Sequence, residues 1–451
     1  MENKKQMELL IDQFDRFGYY LDQKLDRDIE ENRKGQFCLH FRDQDGNILE
    51  NVHVKVKQVS HEFLFGANLL YLDQFEDEER RQLYRQSFAS LFNHAVLPFY
   101  WNALEPQRQQ FRFEADSPFV YRRPPIDPMV QFCRENGITM KAHPLVCKSF
   151  NPDWLPEDSR VLKMETERKL RAIAERYPND FVNMDVLNEM NHIYKNCYKG
   201  NGVWNYILTD EEDHEKWAYD LCRKYFPHTR LFWNEGMHTA FGKDYAGFRS
   251  FFYLILKQWI DRGAPIGGIG MQYHMFAPRE HVFEQLKETT HPLRLIDVAD
   301  CYGSLGRPIH ISEVSIPSYG NDPDDEQLQA ELTKRLYKLW FGRKQNRAII
   351  WWNLADLTAL GGENKYYAGL IRNDCTPKPV YHVLDELIHK TWHTELESSV
   401  NGRLNFAGFY GEYEVEAECD GRKTVQRVRL HQENSGFDNR RLDFRGITIT
   451  L

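Results

Sequence analysis

Eight short apolar runs, each followed by a longer amphipathic stretch, fill the span between residues 61 and 392. This rhythm limits the possible folds more than any other feature of the chain. The runs are FLFGANL (63–69), HAVLPFY (94–100), ITMKAHPLV (138–146), FVNMDVLNE (181–189), TRLFWNE (229–235), IGGIGMQYH (266–274), PIHISEV (308–314) and RAIIWWNLAD (347–356). They have the length of strands, and helical patterns separate them. Over 158–177 the apolar positions are Val161, Leu170, Ile173, Ala174 and Tyr177, and Pro178 ends the segment. Over 323–341 Pro323 sits in the first turn, Leu328, Leu332, Leu336 and Leu339 form the stripe, and Gly342 follows. Strand–helix units repeated eight times predict an α/β fold, a (β/α)8 TIM barrel. The competing architecture is a doubly wound open sheet. It calls for a glycine-rich phosphate loop after the first strand, and FGANL is not one.

The flanking segments have a different texture. Met7, Leu10, Ile11 and Phe14 have helical spacing, which predicts an N-terminal helix within residues 1–25. Phe37, Leu39 and Phe41, then Val52, Val54 and Val56, alternate on either side of DQDGN, which predicts a β-hairpin within 26–60. After residue 392 the helical pattern stops. GEYEVEAECDGRKTVQRVRL reads as a second hairpin turning at Asp420-Gly421, and GITITL closes the chain. The expected organisation is therefore a barrel over 61–392, with the β segments of 26–60 and 393–451 joining into a small β-sandwich-like accessory domain. A chain of 451 residues is the right size for one large and one small domain.

Reactive groups stand at the tips of the apolar runs. The fourth ends in Asn188 and Glu189. In the seventh, Ile309 and Ile311 are expected to alternate inward, with Glu313 following on that face. Active sites of (β/α)8 barrels lie at the C-terminal ends of the strands. Two carboxylates on opposite walls of one funnel suit glycosidic bond cleavage, one as acid/base and one as nucleophile. A lone Asn-Glu is more often a rim salt bridge or a cap, and it is the pairing of strands four and seven that favours catalysis. Glu235, at the tip of the fifth run, is a third strand-end carboxylate and a possible decoy. His143, Gln272 and His274 gather at the same mouth. Trp351 and Trp352 end the eighth run, and neighbours on a strand face opposite ways, so at least one of them packs between strand and helix. The other is placed to stack on a sugar ring.

Composition excludes several classes. The 58 basic and 67 acidic residues are well mixed and give a net charge of −9, which argues against nucleic acid as a partner. No run of about 18 apolar residues suggests a membrane span. The eight cysteines, Cys197 among them, lack C-x-x-C or zinc spacing and read as buried reduced thiols. No H-x-H or H-E-x-x-H motif points to a metal, so neither metal nor other cofactor is expected. The start, MENKKQMELLIDQF, is charged and lacks an apolar signal core. It predicts a cytoplasmic protein, or a secreted one whose leader is absent from this sequence.

Six segments taken in order resemble glycoside hydrolase family 10, the family of endo-1,4-β-xylanases. MDVLNE resembles that family's acid/base strand and IHISEVSI its nucleophile strand. KAHPLVCKSFNPDWL, YWNALEPQRQQFRF, GIGMQYHM and TPKPVYHVL resemble its third strand, second strand, sixth strand and final helix. The resemblance implies a metal-free retaining double displacement on a β-linked plant polysaccharide such as xylan, with Glu189 as acid/base and Glu313 as nucleophile. It implies that Asn188, His143, Gln272 and His274 hold the sugar at the cleavage point. The departures lie on the second strand, where the family's Glu-Asn and following Lys, which grip sugars on the non-reducing side, correspond to Val96, Leu97 and Tyr100. The Trp expected after the third-strand His is Cys147. Ser315 stands two residues beyond the nucleophile in place of Asp, so His274 is expected to lose a charged partner. The machinery is kept while the glycone grip is rebuilt, which points to a divergent member acting on a different or decorated glycan. The alternative from another class is a carbohydrate-binding barrel with little turnover.

Overall fold

The structure, a computed structural model, describes residues 5–147, 150–190, 213–320, 322–438 and 443–451. Lys148 and Ser149 of the third-strand motif, and Cys197, lie outside them. Strands are numbered along the chain. After β1 (Lys34–Arg42) and β2 (Val52–His61) come β3 (Leu64–Asn68), β4 (His94–Pro98), β5 (Thr139–His143), β6 (Phe181–Asn188), β7 (Arg230–Glu235), β8 (Gly268–His274), β9 (Ile309–Ser315) and β10 (Asn346–Trp351). These last eight close into one barrel in the order β10-β3-β4-β5-β6-β7-β8-β9. Each matches one of the eight apolar runs. The chain divides into two compact units, and the unit holding the barrel comprises Met1–Phe17, Phe65–Trp340 and Gln345–Tyr381.

The interior of the barrel is more polar than the apolar runs suggest. The Phe232 and His310 rings lie 4.0 Å apart, and His94 faces His310 at 6.3 Å. Lys141 Nζ stands 4.8 Å from the Phe232 ring and pairs with Asp185 at 2.6 Å. Burial, helped by the Lys141 charge, pushes His94 down to about 3, so its ring is neutral there. Room for these groups comes from glycine. A Cβ on Gly268 would stand 2.3 Å from the Phe232 ring. Since His310 points inward, the alternation of β9 turns Ile309 and Ile311 outward to the helical layer. This reverses the inward orientation expected of those two isoleucines.

The second unit comprises Gly18–Leu64, Phe341–Lys344 and His382–Leu451. Its later strands are β11 (Glu395–Val400), β12 (Arg403–Phe409), β13 (Gly411–Cys419), β14 (Arg422–Leu430), β15 (Phe437–Asp438), β16 (Asp443–Phe444) and β17 (Gly446–Thr450). Two sheets, β12-β1-β17 and β11-β2-β13-β14, share one apolar core. Phe37, Leu39, Phe41 and Ile449 come from one sheet, and Val52, Val54, Val56, Tyr413 and Val415 from the other. This is a β-sandwich assembled from both ends of the chain.

Two local expectations are corrected. β1 and β2 do not form a hairpin. The turn is present, with Asp43 N donating to Asn47 O at 3.0 Å and Leu49 N to Phe41 O at 3.2 Å. The chain then crosses to the other sheet, where the apolar face of β2 packs against that of β1 in the shared core. The N-terminal helix is two helices, Gln6–Asp15 and Gly18–Arg33, parted at Gly18, whose φ is 43°. Residues 26–33 are thus helical rather than part of a β segment. The Asp420-Gly421 hairpin forms as read, with φ of 49° and 77° at the turn and Cys419 opposite Arg422. Among the described residues no helix is long and apolar enough to cross a membrane. Of the described cysteines only Cys147 is not fully buried, and none is in a disulfide.

Leu39 is wholly buried between the two sheets. Leu39→Ala is expected to cost the sandwich about 2–5 kcal/mol. Urea unfolding followed by circular dichroism checks this, and an unchanged transition would contradict a common two-sheet core.

Candidate active site

Both strand-tip glutamates leave β geometry, with φ of 56° at Glu189 and 56° at Glu313. A non-glycine residue in this region costs about 1–3 kcal/mol, and such residues cluster at functional sites. Here the kink breaks the side-chain alternation, so consecutive residues reach the same partner. Ser312 Oγ donates to Asn234 Oδ1 at 2.6 Å, and Asn234 Nδ2 donates to Glu313 Oε1 at 2.7 Å. Gln272 Nε2 likewise donates to Asn188 Oδ1 at 3.3 Å and to Glu189 Oε1 at 2.8 Å. Glu313 therefore enters the barrel mouth through its backbone turn and not through the alternation of Ile309 and Ile311.

Asn234 joins the two halves. Its amide nitrogen also donates to Asn188 Oδ1 at 2.8 Å, so one buried side chain ties β6 to β9. Gly270 makes room for it, since a Cβ there would lie 2.2 Å from Asn234 Oδ1.

Glu313 has further neighbours. His274 Nε2 donates to Glu313 Oε2 at 3.1 Å, and His143 Nε2 stands 3.8 Å from Glu313 Oε1. His143 Nδ1 donates to Asp185 Oδ2 at 2.8 Å, while Lys141 holds Asp185 Oδ1. A line of contacts thus runs from the barrel interior to the mouth. Burial pushes the Glu313 carboxyl upward, but the His274 hydrogen bond and the charges of His143 and His274 outweigh it. The net result lies below the ordinary carboxylate value. Asp185 behaves the same way, with burial opposed and outweighed by Lys141 and His143. Ser315, in place of the expected Asp, still orients His274, its Oγ lying 3.0 Å from Nδ1. His274 is thus held from both ring nitrogens, by Ser315 and by Glu313.

These groups line a cavity of about 280 Å³ with Tyr100, Trp352, Phe150 and Phe276 as aromatic walls. Trp352 packs edge-on to His143 and His274. Trp351 does not reach the cavity, which corrects its reading as a sugar-binding residue. It is fully buried, its Nε1 donates to Ala368 O at 2.8 Å, and its ring meets Tyr337. Strand alternation sends it to the helical layer. Glu235 is also outside the cavity. It is buried and accepts from Trp233 Nε1 at 3.3 Å.

Of the three altered second-strand positions only Tyr100 lines the cavity. Arg122 and Arg123 stand beside it, carried by the loop before the helix Ile126–Glu135, and Glu363 comes from the segment after β10. Sequence reasoning missed all three, because loop residues have no periodicity to reveal where they point. It also missed Asp185 and Asn234, although Asp185, four residues before Glu189 in one strand, and Asn234, beside the flagged Glu235, gave a signal. A larger cavity of about 780 Å³, bordered by Tyr245, Arg294 and Asp297, holds no strand-end carboxylate.

A family model for glycosyl hydrolase family 10 matches residues 57–387. The chain belongs to this family. Among curated family 10-like relatives, anti-sigma-I factor RsgI6 of Acetivibrio thermocellus is 23% identical over 418 residues, 89% of this chain and 47% of the relative. Endo-1,4-beta-xylanase 2 of Arabidopsis thaliana is 22% identical over 413 residues, 90% of this chain and 34% of the relative. The chain spans about half or less of the length of these relatives. Among solved structures, xylanase 10B from Thermotoga petrophila in complex with xylobiose superposes with a TM-score of 0.55 at 20% identity, covering 73% of this chain and 95% of that one. The likeness in structure supports the same barrel fold.

Gly270→Ala would drive a methyl group into Asn234. The expected cost is about 1–3 kcal/mol of overpacking, with Asn234 displaced from Glu313. Thermal denaturation and a crystal structure of the variant check this. An unmoved Asn234 at unchanged stability would show that the close approach does not constrain the site.

Proposed function

We propose that this chain is a retaining β-glycoside hydrolase of endo-1,4-β-xylanase type, with Glu313 as nucleophile and Glu189 as acid/base. The observation that carries this reading is the pair of kinked glutamates on β6 and β9, tied together through Asn188, Asn234 and Gln272. Glu313 is held as a carboxylate by donors, which suits attack on an anomeric carbon. Its attack breaks the glycosidic bond as Glu189 protonates the leaving oxygen. Glu189 then takes a proton from water, which releases the sugar with its original anomeric configuration. Asn188 is placed to bind a hydroxyl of the reacting sugar, and Tyr100 and Trp352 to contact its apolar faces. The substrate class is a β-linked oligo- or polysaccharide.

A second reading is sugar binding without turnover. A relative whose name is that of an anti-sigma factor and not of an enzyme matches most of this chain, which is why the reading is tested. Hydrolysis of aryl β-glycosides and β-1,4-xylo-oligosaccharides, with product anomers followed by NMR, separates the two. Retention of configuration, abolished in Glu313→Ala, supports the hydrolase. Tight binding with no turnover on any glycan supports the second reading.

Glu189→Ala is expected to lose about 10²–10⁴-fold in the first step on substrates with poor leaving groups. Dinitrophenyl glycosides, which leave without protonation, should be spared in that step, as a burst of the phenol would report. An equal loss on both would remove Glu189 from the acid role. In the pH profile of kcat/KM, the acidic limb should fall below the ordinary carboxylate range, because the folded site lowers the pKa of Glu313. His274→Phe removes a donor to the charged form, so the pKa rises and the limb should move to higher pH. A limb that moved down or stayed in place would contradict this.

A further inference from the structure

We propose that the cavity wall formed by Tyr100, Arg122 and Arg123 binds an anionic substituent on the glycan, a carboxylate or a sulfate ester, so that the preferred substrate is acidic. The inference rests on the hydrolase reading and narrows its substrate class.

Three observations support it. The Arg123 guanidinium lies 3.5 Å over the Tyr100 ring, and Tyr100 packs edge-on to His143, which faces Glu313. The cation is therefore one ring removed from the reacting centre. Stacking covers the face of a guanidinium and leaves its N–H edge free in the plane, the geometry that grips a carboxylate or sulfate with two parallel bonds.

The second observation is the partners of these arginines. Arg123 Nη1 donates to Arg122 O at 2.8 Å, and no other hydrogen bond from its side chain occurs among the described residues. Arg122 is fully buried, and its Nη1 donates to Asn353 Oδ1 at 2.6 Å and to Thr358 O, while its Nε has no partner. Among the described residues neither guanidinium has a carboxylate at ion-pair distance. Nearby Arg112 differs, with Nε, Nη1 and Nη2 each donating to a backbone carbonyl. Glu363 is the nearby carboxylate that acts on both arginines, without pairing directly with either, and buried positive charge with no direct ion pair is costly. An anionic ligand would supply that pair.

Third, Glu363 lines the same cavity, and its buried Oε2 has no hydrogen-bond partner. Burial raises its pKa, so it offsets the arginines less than an exposed carboxylate would. Oε2 is placed to accept a sugar hydroxyl beside the anionic group.

The test uses four probes: neutral xylo-oligosaccharides, the same chains bearing a glucuronic acid, those chains after reduction of the carboxyl to an alcohol, and sulfated galacto-oligosaccharides. kcat/KM is measured for the wild type, Arg123→Gln and Arg123→Lys. An anionic probe is expected to exceed its neutral counterpart by about tenfold, the factor one charged hydrogen bond contributes. In Arg123→Gln the ratio should fall to near one, and Arg123→Lys should restore part of it. Preference for the uronate or the sulfate arm identifies the source of the anion. A wild-type enzyme that cleaves neutral and reduced probes at least as well as both anionic ones overturns the inference and leaves the hydrolase reading intact. If no probe is cleaved, calorimetric binding to the wild type decides. Tighter binding of an anionic probe keeps the anion site without the hydrolase, and equal or weaker binding rejects it.

Discussion

The site depends on the amide of Asn234. One nitrogen donates to Asn188 at the end of β6 and to Glu313 on β9, and one oxygen accepts from Ser312. Every polar atom of that buried side chain is used, so its position is fixed. Each such bond is worth about 0.5–1.5 kcal/mol net, or about 1.5–3 where a charge takes part. These bonds help to hold the left-handed turn at Glu313, and Gln272 does the same for Glu189. Gly270 is the steric condition for all of it, because any side chain there would occupy the place of the Asn234 amide.

Charge is ordered along the same axis. Lys141 deep in the barrel fixes Asp185, Asp185 fixes His143, and His143 faces Glu313. Taken alone, burial would protonate both acids. Lys141 and His143 at Asp185, and His274 and His143 at Glu313, reverse that and hold both acids below the ordinary carboxylate value. His94 and His310 shed their charge in the same interior because burial disfavours the charged ring, and the Lys141 charge adds to this.

The strand-end carboxylates thus share one cavity with a wall supplied by neighbouring loops. Tyr100 follows β4, and the loop before the helix Ile126–Glu135 brings Arg122 and Arg123 beside it. The carboxylates come from strand ends, and Arg122, Arg123 and Glu363 from loops. Loops can change without disturbing the barrel.

The eight strands, the barrel and the glutamate pair were legible in the sequence, because apolar runs of strand length between amphipathic stretches leave few other ways to bury their surface. So was the sandwich, as two alternating segments at opposite ends of the chain. Periodicity records which residues avoid water, and that is a local property. It could not show that β1 and β2 separate into different sheets, that Trp351 turns outward, or that Ile309 and Ile311 do too, because these depend on which surface meets which. The kinks at Glu189 and Glu313 lay beyond it for the same reason. Their strained backbone is held by Asn234 and Gln272, which are distant in the chain, and only tertiary structure brings those groups within hydrogen-bond reach.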